Sequence, residues 1–131
     1  MKIKINTPSV DLPAIKFPLL GKHQLENASV AISVIDLISN SLDFEPNFNE
    51  GLEQVRWPGR FSIISSDPII IFDTAHNPDA AKTLAQTLYE LYPNSSFGFI
   101  LGFLKDKDSH GFMNEIKDIA EKSWFVDMDI H

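Results

Sequence analysis

The chain has 131 residues, 44% of them hydrophobic, which fits one domain of ordinary size with enough apolar material for a core. Its formal net charge of -7 argues against nonspecific nucleic-acid or anionic-membrane binding, which needs a basic face. With no cysteine, disulfides, cysteine-ligated zinc and thiol catalysis are excluded, and no run reaches the ~18 consecutive apolar residues of a membrane-spanning helix.

Residues 1–14 read as weakly structured, with Pro8 and Pro13 bracketing a mixed stretch. No secretory signal is visible behind Met1-Lys2-Ile3-Lys4-Ile5-Asn6, so a soluble cytoplasmic protein is expected. Ile15 to Leu20 has the apolar character of a short strand that Pro18 confines to an edge, and Gly21 breaks the run. From His23 to Ser39 the pattern is helical. Ala28, Ala31, Ile35 and Ile38 share a face that Val30, Val34 and Leu37 widen, so this helix is expected to be largely buried, with Asn40-Ser41 as its stop. Residues 41–56 read as a polar, proline-containing linker and domain boundary with a short helix near Asn49 to Val55.

After Trp57 the order changes. Strands Arg60–Ser65 and Ile69–Phe72 flank a turn, and a helix runs from Pro78 to Leu91 behind the N-cap candidate Asn77. Ala81, Leu84, Ala85, Leu88 and Leu91 form its apolar stripe. A strand at Phe97–Leu101, a loop at Lys105–Gly111, a helix at Gly111–Lys122 and a strand at Trp124–Val126 complete the pattern. Strand, helix, strand, helix, strand predicts an α/β fold with a Rossmann-like, mostly parallel sheet flanked by helices. The chain stops soon after a central-looking strand, so the domain is expected to be incomplete. Its open sheet edge would favour self-association.

The chemistry concentrates where strands end and helices begin, the positions at which open α/β sheets hold nucleotides. Asp73 follows the run Ile69–Phe72, and a carboxylate there can accept both hydroxyls of a ribose or simply form a turn. His76 precedes a helix N-terminus, where backbone N–H groups lack intrahelical partners and attract anions; it could donate to a phosphate oxygen or lie in a solvated loop. Arg60 follows the tight bend Trp57-Pro58-Gly59, which aims a guanidinium suited to bidentate phosphate contact, though a surface arginine fits the position too. Gln24 and Asn27 lie three apart on one helix face, where two amides can read the donor–acceptor edge of a base such as adenine or serve as capping residues. The loop Lys105-Asp106-Lys107-Asp108 is a solvated charged loop or a site wall. The four histidines have no metal-ligand spacing, and no Gly-x4-Gly-Lys-Ser/Thr phosphate loop is present.

Three separated motifs, His23-Gln24-Leu25-Glu26-Asn27-Ala28, Trp57-Pro58-Gly59-Arg60 and Asp73-Thr74-Ala75-His76-Asn77-Pro78, together resemble folylpolyglutamate synthase and dihydrofolate synthase, of the Mur ligase superfamily. The Lys105 to Asp108 loop resembles that family's loop after the corresponding strand, and the resemblance covers about residues 15–127. It implies an ATP-dependent ligase that phosphorylates a folate carboxylate to an acyl phosphate, which the glutamate amino group then attacks. By motif, Gln24 and Asn27 would face adenine, Arg60 an ATP phosphate, Asp73 the ribose, and His76 a phosphate or the reacting region as the catalytic candidate. The resemblance makes residues 1–40 the tail of the central ATPase domain, 41–56 a linker and 57–131 a Mur ligase C-terminal-like domain. Magnesium would be held by residues this chain lacks, so the chain alone is expected to be inactive. A ligase of peptidoglycan precursors, a noncatalytic α/β binding module and a non-functional remnant stand as the alternative readings.

Overall fold

The computed structural model describes residues 2–6 and 11–128. The chain divides into two compact units, Met1–Asp73 and Thr74–His131.

In the first unit, strands β1 (Lys2–Asn6) and β2 (Asp11–Lys16) form an antiparallel hairpin with Ile3 opposite Ile15. Ile3, Ile5 and Ile15 are buried while Lys4, Asn6 and Lys16 are exposed, the period-two alternation of a half-buried strand. This corrects the weakly structured reading for residues 2–6 and 11–14; residues 7–10, Pro8 among them, lie outside the described residues. The strand expected from Ile15 to Leu20 ends instead at Lys16, just before Phe17 and Pro18, and Pro18 has no N–H to donate to a ladder.

Helix α1 (Lys22–Leu42) lays Gln24, Ala28 and Ile32 toward the hairpin, a stripe at spacings of four. Ile3, Ile5, Ile15, Phe17, Ala28, Ile32 and Leu52 make the core, with Leu19, Leu25 and Phe48 packed against it. The buried face is narrower than the sequence pattern predicts. Val30, Leu37 and Leu42 are 65–70% exposed, and Ile35 and Ile38 also face outward, because the small hairpin can cover only one stripe of the helix. The helix also outruns its expected stop. Asp43 adopts the left-handed conformation (φ 52°), and its N–H closes onto the Ser39 carbonyl. Helix α2 (Phe48–Glu53) is capped by Asn47, whose side chain accepts the Glu50 N–H and donates to the Glu50 carboxylate. It packs on β2.

Strands β3 (Ser62–Ser66) and β4 (Ile69–Phe72) form a second antiparallel hairpin, Ser62 opposite Phe72, with a bulge between Ile63 and Ser65. β3 begins two residues later than predicted because Gly59 (φ 80°) and Phe61 (φ 47°) bend the chain through the left-handed region.

The second unit contains α3 (Pro78–Leu91), β5 (Phe97–Gly102), α4 (Ser109–Ile116) and β6 (Ala120–Val126). The parallel pairing predicted for the α/β pattern is made by β5 and β6, with Phe99 opposite Ser123 and Leu101 opposite Phe125. α4 is shorter than expected. The Ile119 N–H turns back onto the Ile116 carbonyl, and the Phe97 N–H then bonds the Ile119 carbonyl, so β6 starts at Ala120. Helices α3 and α4 pack together. Ala81, Leu88, Phe112 and Ile116 are each at most 3% exposed, and Phe103 meets Phe112 edge to face at 5.0 Å. Of the α3 stripe, Leu84 and Ala85 are half-buried and Leu91 is 43% exposed.

Candidate functional site

Two local sequence devices build the site in the first unit. Gly21 (φ 98°) takes a conformation that L side chains rarely adopt and starts α1 without a side-chain cap, so the first turn displays His23, Gln24 and then Asn27. The segment Trp57-Pro58-Gly59-Arg60 closes on itself through a bond from the Arg60 N–H to the Trp57 carbonyl (3.3 Å). The Gly59 N–H donates to Ser62 Oγ at 3.0 Å. Asp73, at the end of β4, accepts the Phe61 N–H through Oδ2 at 2.7 Å. The carboxylate that leaves the second strand of the hairpin therefore fixes the residue directly after Arg60.

These devices border one cavity of about 410 Å³, lined by the apolar side chains of Phe17, Leu19, Leu52, Val55 and Trp57 and by the polar side chains of His23, Gln24, Asn27 and Arg60. The pocket is a half-open, largely apolar cleft with a few convergent polar groups, a form that small-molecule sites take. Gln24, Asn27 and Arg60, predicted separately from distant motifs, are thus brought to one place. Asp73 joins them electrostatically, because its charge and that of Arg60 both act on the His23 ring.

The polar residues of the cavity are connected. Asn27 Nδ2 donates to Gln24 Oε1 at 3.4 Å, and Gln24 Nε2 lies 2.9 Å from His23 Nε2. The His23 pKa is lowered. Burial is the main cause and Arg60 adds to it, while Asp73 and Glu26 oppose it. The ring is therefore neutral at pH 7. The sequence motif contained His23 but assigned it no role; its place beside Gln24 in the first turn was the signal. Trp57 stands in the sequence only as part of a bend, whereas in the fold its indole lines the cavity.

The second unit holds the remaining candidates. His76 is exposed, and its Nδ1 lies 3.0 Å from the Thr74 carbonyl, which leaves Nε2 as the other ring nitrogen available to a ligand. Asn77 caps α3 by accepting the Ala80 N–H at 2.8 Å, with Pro78 in the first turn. In the following loop Lys107 pairs with Asp106 at 2.9 Å. That hydrogen bond is the main reason the Asp106 pKa is lowered, and the charge of His76 contributes, so His76 and Asp106 sense one another. Asp108 is occupied as the α4 cap, accepting the Gly111 N–H at 2.8 Å. Lys105 is exposed. Arg60 and Asp73 belong to the first unit and His76 to the second.

Comparison with known proteins adds the following. The glutamate ligase domain of the Mur ligase family matches residues 59–129. The probable bifunctional folylpolyglutamate synthase/dihydropteroate synthase of Haloferax volcanii is 32% identical over 106 residues, 81% of this chain and 12% of that protein. The dihydrofolate synthase/folylpolyglutamate synthase of Escherichia coli K12 is 34% identical over 100 residues, 76% of this chain and 23% of that protein. A solved folylpolyglutamate synthase in complex with AMPPCP and folate superposes with a TM-score of 0.78 at 28% identity, over 87% of this chain and 28% of that one. The chain thus spans only 12–28% of the length of these three proteins.

Proposed function

This chain belongs to the Mur ligase family through its glutamate ligase domain, and from that premise we propose that it is part of an ATP-dependent ligase that adds glutamate to a folate. The relatives it matches carry folylpolyglutamate and dihydrofolate synthase names, and one of them was solved with an ATP analogue and folate. The observation that carries the reading is the cavity that gathers Gln24, Asn27, Trp57 and Arg60 from separate segments.

In this reading the adenine lies against Trp57 and the apolar wall, with its polar edge on Gln24 and Asn27. Arg60 contacts a phosphate from a backbone held by the Asp73–Phe61 bond, and Asp73 accepts from the ribose. His76 presents Nε2 to a phosphate or to the reacting carboxyl, with the Lys105 to Asp108 loop beside it on the amino-acid side. A carboxylate becomes an electrophile only when a phosphoryl group turns its oxygen into a leaving group. Glutamate then attacks through its amino nitrogen and phosphate departs. The protein's part in such a transfer is positioning and charge stabilisation.

Magnesium is assigned to no residue of this chain. Among the described residues no group of three or more His, Asp or Glu side chains could hold a metal ion. Residues 1–40 are assigned to the tail of the ATPase domain, 41–56 to a linker and 57–131 to the glutamate ligase domain. None of the described helices is long and apolar enough to cross a membrane, and we place the protein in the cytoplasm. Self-association through an exposed sheet edge accompanies this assignment, and light scattering across concentrations checks it.

Calorimetric titration of the chain with ATP tests the reading. We expect saturable binding that Arg60→Ala weakens by about tenfold, the loss of one charge-assisted contact. Equal ATP affinity in the two proteins would contradict it. A coupled ADP-release assay with folate, glutamate and MgATP should show no turnover by this chain alone, which carries no triphosphate-binding loop.

A further inference from the structure

A second cleft of about 320 Å³ lies in the first unit, beside the cavity of Gln24 and Asn27. Leu19, Val55, Trp57 and Arg60 line both, so the two share a wall. The residues that line only the second are mostly apolar: Pro18, Leu20, Pro58, Phe61 and Ile63. Its polar side chains are those of Arg56, Arg60 and Ser62, all of them hydrogen-bond donors, and none of its lining residues is acidic. This is a local reversal of the chain's net charge of -7. Arg56 is anchored, because its Nη1 donates to the Val55 carbonyl at 2.9 Å and to the Glu53 carbonyl at 3.3 Å, and the guanidinium carries further N–H groups. Ser62 Oγ accepts the Gly59 N–H at 3.0 Å, which leaves the hydroxyl hydrogen to donate. An apolar slot walled in part by flat rings, with two guanidinium groups and a hydroxyl as its polar side chains, is complementary to an aromatic body that bears one negative charge.

We propose that this second cleft binds a small bicyclic aromatic carboxylate and that its occupant draws Arg60 away from the nucleotide. The coupling rests on the nucleotide reading of the neighbouring cavity; the cleft itself does not. The rings lie among Leu20, Trp57, Pro58 and Phe61, and the carboxylate takes the Arg60 guanidinium, with Arg56 and the Ser62 hydroxyl as further donors. One guanidinium cannot make its full charge-assisted contact with a carboxylate in one cleft and with a phosphate in the other. Each ligand therefore weakens the other, and by the same factor, because a coupling free energy between two sites is reciprocal. The second cleft is then an inhibitory site, and Arg60 is the residue through which it acts.

The test titrates the isotopically labelled full chain with indole-3-acetate and follows amide and indole resonances by NMR. Saturable shifts at Leu20, Ile63 and Trp57 are expected, with a dissociation constant of about 1 mM, the range open to a ligand of that size. Indole-3-acetamide keeps the rings and loses the charge. It should bind about tenfold more weakly, read from its smaller shifts at equal concentration. Arg60→Ala, at an exposed position, should weaken indole-3-acetate to the level of the amide. Saturating ATP should raise the dissociation constant of indole-3-acetate by about tenfold and then reach a plateau, and saturating indole-3-acetate should do the same to ATP. In Arg60→Ala both effects should vanish. Indole-3-acetate shifts confined to Gln24 and Asn27, or equal affinities for the acid and the amide, would overturn the second cleft. Independent binding of indole-3-acetate and ATP by the unaltered chain would overturn the coupling and leave the nucleotide reading standing. Binding of indole-3-acetate as expected, with no binding of ATP, would overturn the nucleotide reading and the coupling and leave the cleft standing.

Discussion

Replacing Asp73 by alanine removes the acceptor of the Phe61 N–H, a bond of 2.7 Å to a carboxylate oxygen. Hydrogen bonds to charged groups contribute about 1.5–3 kcal/mol, and a buried donor left without a partner loses its solvation as well. Phe61 is 5% exposed, so water has little access to the stranded N–H. Its φ of 47° is also a conformation that an aromatic residue holds only when its surroundings impose it. Part of the loss is recovered when Phe61 relaxes out of that conformation, so we work with about 2 kcal/mol. With a urea dependence of about 1–3 kcal/mol per molar, the unfolding midpoint should fall by about 1 M. Asp73→Asn keeps a side-chain oxygen but loses its charge, and should fall by about half as much. The relaxation should also displace Arg60 and weaken ATP binding in parallel. A midpoint for Asp73→Ala within about 0.2 M of the unaltered protein would refute the claim that this carboxylate holds the bend.

Three further outcomes follow from the same geometry. Because the folded-state pKa of His23 lies below 6.5, the unfolded chain binds the extra proton first; this contribution to stability is fully present above pH 6.5 and is lost as pH falls toward the folded value. Urea unfolding of His23→Asn should lack that part of the pH dependence. A Cβ added to Gly111 would sit 2.6 Å from the Pro78 ring and overlap the Asp108 carboxylate, so Gly111→Ala should lower stability by about 1–3 kcal/mol through the α3–α4 contact, read by thermal unfolding. Removing the ammonium in Lys107→Ala should raise the Asp106 pKa toward the ordinary carboxylate range, measured by NMR titration of the Asp106 side chain.

The sequence was most readable where one local rule decided the outcome. Asn77 followed by Pro78 announces a capped helix, and the cap forms as expected. The four-residue motif ending at Arg60 announces a bend, and Gly59 and Phe61 supply its positive φ angles. Reading failed where packing across the chain decided. Lys2 to Asn6 alternates as a strand should, yet without a visible partner it reads as a tail; its pairing with β2 is what makes it a strand. The apolar face of α1 spreads over Ala31, Ile35 and Ile38, but the helix buries only Gln24, Ala28, Ile32 and Ser39, of which Ala28 and Ile32 join the core of the hairpin. A buried glutamine on an apolar stripe is the clue that a polar site begins there. His23 joins the site only once the structure shows its Nε2 2.9 Å from Gln24.

The Trp57–Gln24–Asn27–Arg60 cavity is proposed above as an adenine site. The most direct measurement is the nuclear Overhauser contact between a bound ATP analogue and the protein. Contacts from the adenine ring protons to the Trp57 indole and the Ala28 methyl, both on the cavity wall or in its lining helix, are the predicted result. Saturable binding with adenine contacts confined to residues outside that cavity would contradict it.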